Sequence, residues 1–335
     1  MLCYVDDSAP GITRERKGNA WAYFTPKGKR IEKRSEIDRL NAIGLPPAYT
    51  NAWFCPSPHG HIQATGMDDK GRKQYRYHVD FRAQQEAEKY GRCADFGRAL
   101  PAIRAQVEAD LASGKLCKQQ VVAAVVRILD LGKVRVGNDA YAESNKSFGA
   151  TTLRDRHATF GKGSVSLRYI GKSGKEQKIT IADAKLARLV KRCQDIPGQR
   201  LFQYLDSAGE RHPVTSGDVN EYLKQASGGD FTAKHFRTWG ASVIAFKALV
   251  DAGEKGIKIK QLLEPVAEAL GNTPAISRKS YVHPALIALA TGKPAPEMAD
   301  IQLPRAARYL SREERGLIAF LDHLSTEQDC AVEAA

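Results

Sequence analysis

The chain has 335 residues, with 51 lysines and arginines against 38 aspartates and glutamates and a formal net charge of +13. That length leaves room for two domains and a substantial core, and the basic excess fits a polyanionic partner, nucleic acid before a membrane surface. No apolar run approaches the ~20 residues that span a bilayer, and six scattered cysteines without a C-x-x-C pair indicate neither a disulfide framework nor a zinc site.

Residues 1–11 lack the apolar core of a secretory leader, so a cytoplasmic protein is expected. Residues 14–80 read as short strands and turns around one brief helix. Trp21 to Phe24 form a strand, residues 35–43 a helix capped by Ser35, and residues 52–55 and 61–65 two strands joined by a Pro/Gly turn. His59-Gly60-His61 and Asp68-Asp69 read as turns rather than metal sites. In the next segment Arg72, Lys73, Gln74, Tyr75 and Tyr77 interleave cations with aromatic and amide groups. On an extended strand Lys73, Tyr75 and Tyr77 share a face, an arrangement suited to phosphate and base contacts or to a charged sheet edge.

From Phe81 the spacing of apolar residues becomes helical, over residues 82–93, 96–113 and 118–131, which puts a domain boundary near residues 80–90. Residues 132–141 interrupt that run and set Arg135 between two valines. An arginine in apolar company needs an anion, either a core carboxylate or a ligand. Val165, Leu167 and Tyr169 then alternate, Gly171 to Lys175 turn, and residues 177–181 return, which predicts a β-hairpin with Lys172 and Lys175 at its tip. Gly171-Lys172-Ser173 imitates the end of a P-loop, but position 166 is serine where that motif needs glycine.

Residues 182–194 and 216–225 are predicted helices, and another, capped by Thr232, carries Lys234 and Arg237 on one face. Residues 257–270 form an amphipathic helix with Gly271 as its C-cap. Thr273-Pro274 opens a short helix that leads to Tyr281, a tyrosine bracketed by Ser277, Arg278, Lys279 and Ser280. Nearby cations favour a phenolate and attract phosphate. Residues 311–326 make a last helix, with Ser311 and Glu314 as a capping box.

An arginine in K-V-R-V-G-N-x-x-Y, a lysine in G-K-S-G-K, an arginine in K-x-x-R-T-W-G and a tyrosine in G-N-T-P-A-I-S-R-K-S-Y follow one another in this order. Together with G-H-I-Q-A-T-G and G-R-K-Q-Y-R-Y-H near the N-terminus, they resemble the type IB DNA topoisomerases of the compact bacterial and poxvirus kind, over roughly residues 14–325. The resemblance implies an α+β protein. A small N-terminal β-rich DNA-binding domain (1–82) would precede a larger, mainly α-helical catalytic domain (83–335) containing a β-hairpin.

It also implies that Tyr281 attacks the scissile phosphodiester and becomes linked to the 3′ phosphate, with Arg135 and Arg237 on the non-bridging oxygens and Lys172, with Lys175 at the same tip as its rival, as general acid for the 5′ oxygen. Lys234 would lie near the phosphate, while Arg72, Lys73, Gln74, Tyr75, Tyr77 and Tyr141 would contact duplex DNA. Asn272 stands where many members have histidine; an amide can donate to a phosphate oxygen but cannot shuttle a proton. No metal, ATP or other cofactor is implied, and the expected partner is duplex DNA, held by a nucleoid-associated monomer that closes on it as a clamp.

A tyrosine recombinase uses a similar arginine, lysine and tyrosine set, but usually with H-x-x-R, whereas His235 precedes Arg237 by two positions. A DNA-packaging protein would account for the charge but not for the ordered constellation.

Overall fold

The computed structural model describes residues 1–18, 20–114, 116–292 and 303–333. The chain divides into two compact units, Met1–Gly91 and Arg92–Ala335.

In the first unit β1 (Thr13–Lys17) pairs antiparallel with β2 (Ala20–Phe24), and α1 (Arg34–Ala42) follows. Then β3 (Thr50–Phe54), β4 (Ile62–Met67) and β5 (Lys73–Tyr77) form an antiparallel sheet in that order, and α2 (Val79–Gly91) closes the unit. Ile12, Tyr23, Leu40, Leu45, Phe54 and Ala64 make its core. Helix α1 starts one residue before the expected cap Ser35. Its N-cap is Lys33, whose carbonyl accepts from the amides of Glu36 and Ile37, each at 3.1 Å, so the turn closes through the backbone.

The second unit opens with α3 (Cys93–Ala112), α4 (Lys118–Gly132) and α5 (Asp139–Asn145). A three-stranded antiparallel sheet follows, β6 (Ala158–Gly161), β7 (Ser164–Ile170) and β8 (Glu176–Ala182), and then α6 (Ala184–Gln194). After the small hairpin of β9 (Gln203–Leu205) and β10 (Arg211–Pro213) come α7 (Ser216–Ser227), α8 (Ala233–Ala252), α9 (Ile259–Leu270), α10 (Pro274–Ser280), α11 (Pro284–Ala290) and α12 (Arg312–Glu333). The predicted hairpin is thus two strands of a sheet of three, because the four residues of β6 are too few to show a period.

Helix α4 is buried nearly all round, from Gln120 through Val126 and again at Ile128 and Leu129, and α8 is buried from His235 through Ser242. Helices apolar on every side belong at the centre of a bundle. Arg104 of α3 fastens the bundle: it grips both carboxylate oxygens of Asp130 in α4 (2.8 Å each) and both of Glu314 in α12 (2.7 and 2.8 Å). The Trp239 indole of α8 donates to the same Glu314 at 3.2 Å. The tryptophan reaches it by lying on Gly97, where a β-carbon would sit 2.3 Å from the ring.

Cys55, Cys93 and Cys193 are buried, as core filler should be, whereas Cys3 and Cys117 are exposed; the side chain of Cys330 lies outside the described residues. Among the described residues no helix is long and apolar enough to cross a membrane.

Candidate active site

Helix α4 stops at Lys133, which adopts the left-handed conformation (φ 51°), and the chain turns into an extended run through Arg135. That run is pinned by its main chain, with the amide of Ala150 bonded to the Arg135 carbonyl (2.8 Å) and that of Thr151 to Val136 (2.7 Å). Gly149 permits the approach, since a β-carbon there would lie 2.5 Å from the Gly137 nitrogen. From this fixed base the Arg135 Nη2 donates to Asn272 Oδ1 at 3.2 Å and to the Tyr281 phenol oxygen at 3.3 Å. Of the two kinds of anion that its apolar setting called for, no core carboxylate pairs with it among the described residues.

Arg237, one turn into α8, is only 4 % exposed. Its Nη1 donates to the carbonyl of Lys133 and its Nη2 to that of Leu270 (3.1 Å), so the guanidinium is held between the C-terminal ends of α4 and α9. Helix C-termini carry unpaired carbonyls and partial negative charge, which suits a cation. Burial first, and then the Arg135 charge, push Arg237 below the usual guanidinium range.

Tyr281 closes α10, a helix opened by Pro274 and capped by Thr273, whose hydroxyl accepts from the Ile276 amide. The Tyr281 amide bonds back to the Ser277 carbonyl at 3.1 Å, and the ring is half-buried with the Arg237 guanidinium carbon 4.8 Å from its centroid. Burial alone would raise the phenol; the charges of Arg237 and Arg135 outweigh it and hold the group below its ordinary value.

Asn272 follows Gly271, the left-handed C-cap of α9 (φ 61°), and its own amide returns to the Ala267 carbonyl at 2.9 Å. Arg135 offers only donors, so it fixes Oδ1 as the acceptor and leaves the amide nitrogen free to give. Asn272 Nδ2 and Arg237 Nε are both buried without an acceptor among the described residues. A buried donor left so costs roughly 1–3 kcal/mol, and two of them beside two guanidiniums and an acidified phenol can receive an anion next to the phenol oxygen.

The remaining expected site residues are placed differently. Lys172 and Lys175 flank the tip between β7 and β8, where Ser173 (φ 65°) and Gly174 (φ 74°) make the turn and Gly171 bonds to the Lys175 carbonyl at 2.8 Å. Both lysines are exposed, and their side chains make no hydrogen bond or ion pair among the described residues; the same holds for Lys234. In the first unit Arg72 pairs with Asp68 (2.6 Å), Lys73 with Asp7 (2.7 Å), and Gln74 donates to Asp68 at 3.0 Å. Asp68 therefore organises its turn, and the bonds from Arg72 bring its carboxyl down to about 2. Tyr75 and Tyr77 are 41 % and 42 % exposed and stack at 5.8 Å with planes 9° apart. Tyr141 is exposed on α5, where Asn138 caps its amide at 3.1 Å.

Tyr169 is a neighbour that sequence reasoning passed over, although its alternation with Val165 and Leu167 marked it as inward-facing. It is 5 % exposed, and burial pushes its phenol up to about 12 against the pull of the Arg237 and Arg135 charges, so it stays protonated. Nothing in the sequence signals the Lys133 carbonyl as a partner of Arg237, since any residue supplies a carbonyl.

Among the described residues the cluster with metal-ligand spacing is Asp206, Glu210 and His212. Asp206 there accepts from the amides of Ala208 and Glu210 and contacts His212 Nε2 at 2.8 Å, closing the β9–β10 turn.

Residues 78–287 match the family model described as eukaryotic DNA topoisomerase I, catalytic core, and residues 20–68 match bacterial DNA topoisomerase IB, N-terminal domain. The chain is 33% identical to DNA topoisomerase 1B of Acanthamoeba polyphaga mimivirus, over 81% of this chain and 85% of that protein. It is 22% identical to DNA topoisomerase 1B of Vaccinia virus (strain Copenhagen), over 68% and 72% respectively.

Proposed function

The chain belongs to the type IB DNA topoisomerases, and from that premise we propose that it relaxes duplex DNA by transient cleavage of one strand through Tyr281, without metal or ATP. The observation that carries this reading is the meeting of Arg135, Asn272 and Tyr281, up to 146 positions apart in sequence, at 3.2 and 3.3 Å under the Arg237 guanidinium.

The Tyr281 oxygen, its phenol proton released to solvent, forms a bond to phosphorus as the bond from phosphorus to the 5′ oxygen breaks, leaving a 3′-phosphotyrosyl strand. Phosphoryl transfer asks chiefly for positioning and for charge facing the equatorial oxygens. Arg135, the Nε edge of Arg237 and the Asn272 amide nitrogen provide it, each such donor contributing about 3 kcal/mol. The departing oxygen takes its proton from Lys172, carried to it on the β7–β8 tip. The Tyr75–Tyr77 pair and the basic residues of β5 contact the duplex in the first unit. Because the phosphotyrosyl bond stores the energy of the one it replaced, the 5′ hydroxyl reseals the strand after it has swivelled.

The test is relaxation of supercoiled plasmid in EDTA without nucleotide, with denaturation in mid-reaction to trap protein on DNA 3′ ends. A strict need for magnesium or ATP, or protein trapped on 5′ ends, would overturn the mechanism.

A further inference from the structure

We infer that Gln177 is a positioning residue that ties the lysine-bearing tip to the loop carrying Asn272 and Tyr281, so that delivery of the proton depends on it. This rests on the reading of Lys172 as general acid.

Gln177 stands on β8 opposite Tyr169 of β7. Its amide lies flat on Gly271: a β-carbon at that position would meet Oε1 at 2.4 Å and Nε2 at 2.5 Å. Its Cγ lies against Gly171, where a β-carbon would approach to 3.0 Å. One side chain therefore fills the space over two glycines, and each glycine is the chain neighbour of a residue in the proposed chemistry: Gly171 precedes Lys172, and Gly271 precedes Asn272. A side chain at Gly271 would displace the amide, and one at Gly171 would press on Cγ.

The same face of β8 continues the docking. Side chains two apart on a strand point the same way, and Ile179 Cγ2 and Ile181 Cδ1 lie 3.4 and 3.7 Å from where a β-carbon on Gly132 would be, at the end of α4 that leads to Arg135. Strand β8 thus rests on the ends of α9 and α4, the two helix ends whose following segments carry Asn272 and Arg135. Ile179 and Ile181 fix the strand as a body. Gln177, nearest the tip, sets where the tip begins relative to Asn272, and the Lys172 side chain makes no hydrogen bond or ion pair of its own among the described residues.

Cleavage is compared on an ordinary strand and on one with sulfur in place of the 5′-bridging oxygen, whose thiolate departs without a proton. Gln177→Ala should slow the ordinary cleavage about 10- to 100-fold, the scale of an ångström-sized misplacement, and leave the sulfur substrate within about two- to three-fold of wild type. Gln177→Met keeps the length of the side chain and should recover most of the rate. An undiminished rate on the ordinary strand, or equal losses on both substrates by the alanine and methionine variants alike, would overturn the inference. Lys172→Ala in the same experiment separates the two levels. If sulfur fails to rescue it, the acid assignment falls; if sulfur rescues Lys172→Ala but not Gln177→Ala, the acid stands and the positioning role falls.

Discussion

Tyr281 sits where burial and charge oppose each other, and two guanidiniums outweigh burial and hold the phenol below its ordinary value. The cleavage step should therefore quicken as pH rises and level off below the ordinary phenol range. Arg135→Ala removes one of the two cations and one oxyanion donor. It should lower the cleavage rate by about 10²- to 10³-fold and move the midpoint of the pH profile upward, since less positive charge remains to hold the phenolate. Single-turnover cleavage across pH checks both, and a midpoint that stays put would mean that Arg135 does not act on the phenol. Tyr281→Phe should abolish covalent trapping while leaving DNA affinity within about two-fold, because the ring's packing and the basic contacts remain. Residue types and order made the cast legible in advance, with Arg135 marked by its apolar company and Tyr281 by its cations. Which groups hold those residues was not, because Arg237 is gripped by main-chain oxygens and Asn272 is oriented by an arginine far away in sequence.

At the scale of helices and strands, the Arg104 cluster joins α3, α4 and α12 through bonds of 2.7–2.8 Å. Arg104→Ala leaves Asp130 and Glu314 buried without their cation and should destabilise the second unit by about 3–5 kcal/mol, read from a urea unfolding midpoint. Burial by itself would raise the Glu314 carboxyl, but the bonds and charge of Arg104 outweigh it and hold the folded value below the usual 4.5. A depressed acid contributes stability that is full above its unfolded value and lost as pH falls through the folded one. Wild type should thus keep this contribution on acidification to about pH 4.5 and lose it below, while Arg104→Met, whose buried acids have lost their cation and are raised by burial, should recover part of its deficit as pH falls and they take up protons. Gly271→Ala forces a side chain into a left-handed position that the Gln177 amide already covers. It should both destabilise the protein and slow cleavage, and wild-type activity in that variant would mean the contact is slack. Long amphipathic helices were legible because their apolar spacing repeats over several turns. Strands β6, β9 and β10 were missed because three or four residues hold too little pattern.

For the whole molecule, an excess of thirteen positive charges means that binding to duplex DNA is driven largely by release of its condensed cations. The logarithm of affinity should fall linearly with the logarithm of salt concentration, and Lys234→Ala should make that line shallower by about one phosphate contact, or ~0.9 in slope. An unchanged slope would remove Lys234 from the interface. Lys73 is a weaker candidate for that measurement, since its ammonium is already paired with Asp7 at 2.7 Å, and freeing it offsets part of what a phosphate would contribute. The α+β architecture was legible from where period two gives way to period 3.6. Such pairings of cations inside the protein were not, because they depend on which loops the fold brings together.

The anchoring of Arg237 between the Lys133 and Leu270 carbonyls has a hereditary consequence. No codon specifies a main-chain oxygen, so the bond to Arg237 by itself asks for no particular side chain at positions 133 and 270, only for the two helix endings that aim their carbonyls at the guanidinium. What selection must guard instead is the way α4 and α9 terminate, a property spread over many positions and invisible in any one of them.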